Sequence, residues 1–231
     1  MEIPKIRNIG DIKRDNIEGV FKRWIYPKED YSKICDYMQK INYCIQDLNN
    51  ELDSLQNAGM KEIVFIISLV DWIREAFLAI KNDILEEVIK GYIFSKELEI
   101  KKAEKYFLAI RSFVVAHPLT TNRHEDYGFD GDFICVDIRR PDKFLDYFPN
   151  DEPFYYIDYT GLHKGRNKEV DFFLFSYSKK ADDMKFYKKI SAKFSDIYHV
   201  AELYIENLYE LDKYLFKNAK YKNYKISGES I

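Results

Sequence analysis

The sequence predicts a mainly α (α+β) chain, an up-and-down bundle of about four long helices with a small antiparallel β insertion before the last of them. Apolar residues recur in steps of three and four along four long stretches. Between the third and the fourth, the pattern changes to β-branched and aromatic runs bounded by Pro, Gly and Asp. A chain of 231 residues with 46% hydrophobic content can bury one sizeable core. A single domain, 1–231, is therefore expected, with its β insertion at about 133–178.

After an N-terminal arm containing Trp24, Pro27 marks a helix start. Tyr31, Ile34, Met38, Ile41, Ile45, Leu48, Leu52 and Leu55 then form one continuous apolar seam. Asn57 to Gly59 break it. A second helix is expected from about Met60 to Lys90, with Gly91 where a C-terminal cap belongs. Its stretch IVFIISLVDWIREAFLAI, Ile63 to Ile80, is nearly apolar all round at first and should be the most buried element. Asp71, Arg74 and Glu75 in its middle would be expensive in lipid, so it reads as a core helix and no membrane is expected as a partner.

Ser95 is placed to cap a third helix, whose seam Ile100, Ala103, Phe107, Ile110 and Val114 leads to His117. Pro118 ends that helix, because proline disfavours the helical conformation of the residue before it. A polar loop follows, and then three expected strands: FICVDIR (Phe133 to Arg139), FYYIDYT (Phe154 to Thr160) and VDFFLFSYS (Val170 to Ser178). Helical periodicity returns from about Lys180 and runs through Ile190, Phe194, Ile197, Ala201, Tyr204, Leu208, Leu211 and Leu215. The lysine-rich tail after Ala219 is expected to fray.

With 36 basic and 39 acidic side chains the net charge is −3, so no global positive field marks a nucleic-acid binder, although a local patch remains open. Cys35, Cys44 and Cys135 are odd in number and belong to no cluster with the spacing zinc requires. They read as free thiols in a reducing compartment. The charged N-terminus lacks the apolar stretch of a signal peptide, so a cytoplasmic protein is expected. A Gly-rich phosphate loop, a nucleophile-elbow serine and a metal-binding histidine motif are all missing from the sequence, and neither cofactor nor metal is expected.

The strongest chemical candidate is Arg111-Ser-Phe-Val-Val-Ala-His117, which puts a permanent cation and a titratable imidazole at the end of one helix. Six residues of ideal helix leave the two side chains roughly 120° apart, so they share a site only where the helix ends early or distorts. The alternative is that His117 extends the core seam and Arg111 pairs with a carboxylate on a neighbouring helix.

An arginine, a short spacer and a histidine near the end of an interior helix of such a bundle resemble the HEPN superfamily (higher eukaryotes and prokaryotes nucleotide-binding). The spacer here is SFVVA. The resemblance covers the helices around residues 28 to 117 and 180 to 218 by architecture. It implies a metal-independent endoribonuclease of a toxin or phage-defence system, with Arg111 and His117 as its catalytic pair and a homodimer as its form. Ser112, where a larger polar residue commonly stands, and the added strands depart from the family pattern.

The chemistry suited to such a pair is attack of an RNA 2′-hydroxyl on its own phosphodiester. Histidine moves the proton, while guanidinium stabilises charge growing on the phosphoryl oxygens. One imidazole serves poorly as both base and acid, and a twofold axis would supply the second.

Asn122, Arg123 and His124 could add phosphate contacts, or form an ordinary polar loop. Asp126, Asp130 and Asp132 miss the EF-hand spacing. His163, Lys164 and Arg166 form a basic tip expected in a hairpin loop. The strand aromatics, Tyr155 through Tyr177, offer base-stacking faces, although alternation sends about half of them to the core. The expected partners are an RNA substrate, a second copy of the chain and an antitoxin or regulatory protein. The competing reading is a non-enzymatic helical interaction module that binds a protein.

Overall fold

A computed structural model describes residues 3–9, 31–84, 89, 91–116, 133–139, 155–158, 161–164, 170–178 and 187–217. Its α-helices are α1 (Tyr31–Glu51), α2 (Met60–Ala79), α3 (Glu97–Arg111) and α4 (Phe194–Lys217). The strands β1 (Phe133–Arg139), β2 (Tyr155–Asp158), β3 (Gly161–Lys164), β4 (Phe172–Ser178) and β5 (Tyr187–Ala192) lie between α3 and α4 in sequence. The chain is thus mainly helical with a β insertion before the last helix, as its periodicities predict. It forms two compact units, one of Glu51–Ser68 and Leu98–Val200, the other of Glu2–Asn50, Leu69–Glu97 and Ala201–Ile231.

In the second unit, the α1 seam behaves as its spacing requires: Ile34, Met38, Ile41, Ile45 and Leu48 are all buried. Cys44 beside them is a free thiol that burial pushes up to about 11, so it stays protonated and inert at neutral pH. Phe77 of α2 and Tyr204 of α4 meet with ring centroids 5.4 Å apart at 56°, a tilted arrangement that suits the ring quadrupoles. Trp72, expected within the most buried helix, is exposed on its outer side, and the Lys40 ammonium sits 3.5 Å from its ring centroid. Arg74 pairs with Glu75.

The expected continuous helix from Met60 to Lys90 is interrupted, because α2 ends at Ala79 and a π turn, Ile80–Ile84, follows. Asn and Asp, the residue types at 82 and 83, have low helix propensity. Gly91 takes φ 94° inside a turn closed by a hydrogen bond from Tyr92 N–H to Ile89 O at 2.7 Å. Ser95 does not cap α3 as expected. Its hydroxyl and its backbone N–H both donate to the Glu210 carboxylate on α4, a strong acceptor for two donors at once.

In the first unit, the seam of α1 continues into a 3₁₀ turn, Leu52–Asn57, with Leu55 buried. At the start of α2 the Glu62 carboxylate accepts the Gly59 N–H at 2.9 Å, which is half of a capping box, and this backbone bonding holds Glu62 below the usual carboxylate range. In α3, Ile100, Ala103, Phe107 and Ile110 are buried at the expected spacing.

The sheet is larger than the three antiparallel strands expected, and runs in the order β1-β4-β5-β2-β3. The β2–β5 pair is parallel and the other pairs are antiparallel. The stretch FYYIDYT holds only β2, and His163 and Lys164, expected in a loop, belong to β3. Arg166 lies outside the described residues.

Beyond 178, where helix was expected from about Lys180, residues Tyr187–Ala192 form β5. Ile190 and Phe194 are four apart and fit a helix as well as a strand-to-helix junction. The competing demand comes from β4, whose second edge pairs with β5 from Phe172 opposite Ala192 to Tyr177 opposite Tyr187. Phe172, Phe173 and Leu174 are consecutive and all buried, so β4 is covered on both faces and these two phenylalanines offer no base-stacking surface. Asp171 then ends the strand region by accepting the Phe194 N–H at 2.7 Å, which starts α4 with a side-chain cap from a distant part of the chain.

Two stability effects follow. Phe107 is fully buried, so Phe107→Ala is expected to cost about 3–5 kcal/mol in urea denaturation, whereas Leu98→Ala at a 77% exposed position should stay within about 0.5 kcal/mol. Gly91→Ala brings its Cβ only into ordinary contact with the Tyr214 hydroxyl at 3.9 Å but holds an unfavourable φ, and should cost about 1–2 kcal/mol by the same measurement.

Candidate functional site

The end of α3 places the first of the sequence-derived site residues. Arg111 is the last residue of the α-helix, half-buried, and its positive charge lies where the helix dipole favours a cation. Ser112–Ala116 form a π turn directly after it. The α-helical geometry thus changes directly after Arg111. In a π turn residue i+5, rather than i+4, returns over residue i, so Ala116 is the residue brought nearest the Arg111 face. His117 follows immediately in sequence, and it lies outside the described residues together with Pro118, Asn122, Arg123 and His124. Asp126, Asp130 and Asp132 lie outside them as well.

The π turn carries a feature that spacing did not reveal. Ser112 is buried, and its hydroxyl has no hydrogen-bond partner among the described residues. A buried hydroxyl normally finds a partner, because leaving one unsatisfied costs about 1–3 kcal/mol. Here a group able to donate and accept follows Arg111 in sequence, with β1 running next to the turn. The sequence showed Ser112 only as a departure from a familiar pattern. Its burial depends on Phe113 and Val114 facing the core of the unit.

An imidazole that sequence reasoning passed over is described. His199 Nε2 lies 2.9 Å from Glu99 Oε1, joining α4 to the first turn of α3. Twelve helical residues separate Glu99 from Arg111, roughly 18 Å of rise, so His199 is no partner for Arg111. Among the described residues, no three histidine, cysteine or carboxylate side chains converge to hold a metal ion, and no helix is long and apolar enough to cross a membrane.

The second unit contains a cavity of about 450 Å³ lined by the segment around Ile6 and by one side of α4. Residues 3–9 have neither helical nor strand hydrogen bonding, yet Ile6 and Ile9 are buried. Asn49 of α1 accepts the Ile6 N–H at 2.8 Å and donates to the Ile6 carbonyl at 2.9 Å, so one side-chain amide pairs with both polar groups of one residue. The Arg7 guanidinium lies 3.7 Å from the Tyr209 ring centroid, and the Tyr209 hydroxyl donates to the Asn8 carbonyl. Burial raises the Tyr209 phenol, and the nearby Arg7 opposes that shift.

Glu202, Glu206 and Glu210 form a stripe along α4, where residues four apart share a face. Lys96 pairs with Glu206 at 2.7 Å on this exposed surface. The sequence signal for the segment was KIRNI, two isoleucines three apart with Lys5 and Arg7 flanking the first, too short for a periodicity search to register. The comparisons with models of known protein families, with curated proteins and with solved structures find no match to this chain.

Proposed function

We propose that this protein is a metal-independent endoribonuclease of the HEPN type, acting as a homodimer in a toxin or phage-defence setting, with Arg111 and His117 as its catalytic pair. The observation that carries this reading is the π turn at Ser112–Ala116, immediately after Arg111. π turns occur frequently at functional sites, and this one follows Arg111 directly and takes up the whole spacer of the motif. The buried Ser112 hydroxyl adds a second polar group there.

In the proposed reaction His117 takes the proton from the RNA 2′-hydroxyl as its oxygen attacks the adjacent phosphorus. Arg111 stabilises the charge that grows on the non-bridging oxygens, and the second copy's imidazole protonates the departing 5′-oxygen. The products are a 2′,3′-cyclic phosphate and a free 5′-hydroxyl, so no water or metal enters the step. Asn122, Arg123 and His124, close behind in sequence, would contact flanking phosphates. Partners would be the RNA substrate and a neutralising antitoxin or regulatory protein.

A second reading has its own observation. The Asn49 side chain bonds both backbone polar groups of Ile6 within the chain, and an extended peptide can be held by its backbone in the same way, which favours a helical interaction module that binds a protein partner.

Catalysis separates the two. His117→Ala and Arg111→Ala should each abolish cleavage of single-stranded RNA in a gel assay while leaving helical content by circular dichroism unchanged. Arg111→Lys should rescue poorly, since an ammonium lacks the planar fork. A 2′-deoxy substitution at the cleaved position should block the reaction, and a chelator should leave it unaffected. Wild-type protein that leaves varied RNAs intact, with both alanine variants unfolded, would give these residues to structure and the chain to the interaction reading. Sedimentation at micromolar concentration should give a dimer, and a strict monomer would remove the second imidazole from the scheme.

A further inference from the structure

We infer that the second unit contains a recognition groove for a basic extended peptide, that residues 5–9 are its resident occupant, and that a partner protein's segment of the same chemistry displaces them. This inference is independent of the ribonuclease reading, because none of its residues belongs to the end of α3.

The contacts of the resident segment define what the groove selects. Asn49 engages only the backbone of Ile6, with distances of 2.8 and 2.9 Å, so this part of the recognition holds for any residue except proline at that place. Side-chain selection comes from Ile6 and Ile9, which are 3% and 4% exposed. A spacing of three returns side chains to one side of a polyproline-type chain, whereas strand alternation would send them to opposite faces. Between them Arg7 and Asn8 are exposed, with Arg7 stacked on Tyr209 and the Asn8 carbonyl held by the Tyr209 hydroxyl. The groove therefore reads a branched apolar residue, a cation and a second branched apolar residue three places after the first.

Charge supports the same occupant. Lys5 and Arg7 of the segment share the wall of one cavity with Glu202, Glu206 and Glu210 of α4 and with Lys96 and Lys213, so the groove's own carboxylates outnumber its cations three to two, and Lys96 pairs with Glu206. An acidic stripe beside backbone-directed hydrogen bonding suits a basic peptide, and it would repel an acidic one. The contacts of the resident segment include the Asn49 amide clip, the Tyr209 ring and hydroxyl and the burial of Ile6 and Ile9, and residues 3–9 have no ladder of backbone bonds to α1 or α4 among the described residues. Such a strap is expected to open locally without unfolding the helices beneath it.

The experiment uses the full chain and a fluorescent peptide, Ile-Pro-Lys-Ile-Arg-Asn-Ile-Gly, which copies residues 3–10. In the Ile6→Asp, Ile9→Asp double variant the groove residues are intact but the strap is expelled, so the peptide should bind. Wild-type protein should bind it at least about tenfold more weakly, because apparent affinity falls with the fraction of vacant grooves. Adding Asn49→Asp to the double variant should weaken the peptide, since the amide donor to the carbonyl is lost. Adding Glu202→Lys should weaken it most at low salt, since an opposing charge is reversed.

Should the double variant not fold, hydrogen exchange on wild-type protein decides instead. The Ile6 amide should exchange at least about a hundredfold faster than that of Leu208 in α4, and excess unlabelled peptide should speed it further. Exchange of Ile6 and Leu208 at one rate, unaffected by peptide, would make the segment an ordinary part of the core and overturn the inference. So would peptide binding of equal strength to wild-type and double-variant protein, or none to a folded double variant. A concentration-dependent dimer that Asn49→Asp abolishes would make a second copy the occupant and overturn the assignment to a partner protein.

Discussion

The constraint on which the described structure depends is the burial of α4. Phe194, Ile197, Tyr198, Val200, Ala201, Leu203, Tyr204, Ile205, Leu208 and Leu211 are all buried, far more of its circumference than one apolar stripe would cover. Its residues to Val200 belong to one compact unit and those from Ala201 to the other. Where α4 begins therefore determines which side chains reach each core. That start is set by the Asp171 carboxylate on the Phe194 N–H. A helix extended back toward Lys180, as local periodicity alone would have it, leaves β4 without a partner along one edge.

Buried polar groups on α4 are satisfied in ways that bind neighbouring chain to it. Asn207, 3% exposed, accepts the Tyr92 hydroxyl at 2.8 Å, and desolvation raises that phenol far enough that it remains a donor at any physiological pH. Glu210 takes both donors of Ser95. Each pairing ties the turn around Gly91 to the helix within one unit. The same helix then offers Tyr209 and its acidic stripe to the segment around Ile6. One element thus serves as core on most of its sides and as the seat of an extended segment on another.

The two candidate sites differ in how their residues became visible. Arg111 and His117 could be noticed in a linear reading because they stand six apart at the end of one apolar period, and helical geometry states what that interval costs. The Ser112 environment could not, since a serine beside an arginine says nothing about whether its hydroxyl is buried or partnered. The groove around Ile6 was invisible for a different reason. Its parts, Ile6, Asn49 and Tyr209, come from distant places in the chain, and a single asparagine in a helix has no signature for holding an extended segment.

By itself the sequence determined the helical class, the seam of α1, the core face of α3 and the position of the β insertion, because each depends on a local period that burial of one face enforces. It marked Gly91 as the cap of a helix, whereas the residue takes φ 94° in a turn, a conformation few other residues adopt without strain. Tertiary structure decided the matters that local period leaves degenerate. It assigned Tyr187–Ala192 to a strand, put β2 parallel to β5, turned Ser95 from its expected helix cap to Glu210, and exposed Trp72 under Lys40. In each case a side chain or a sheet edge had two comparable local options, and the partner that broke the tie lay far away in sequence.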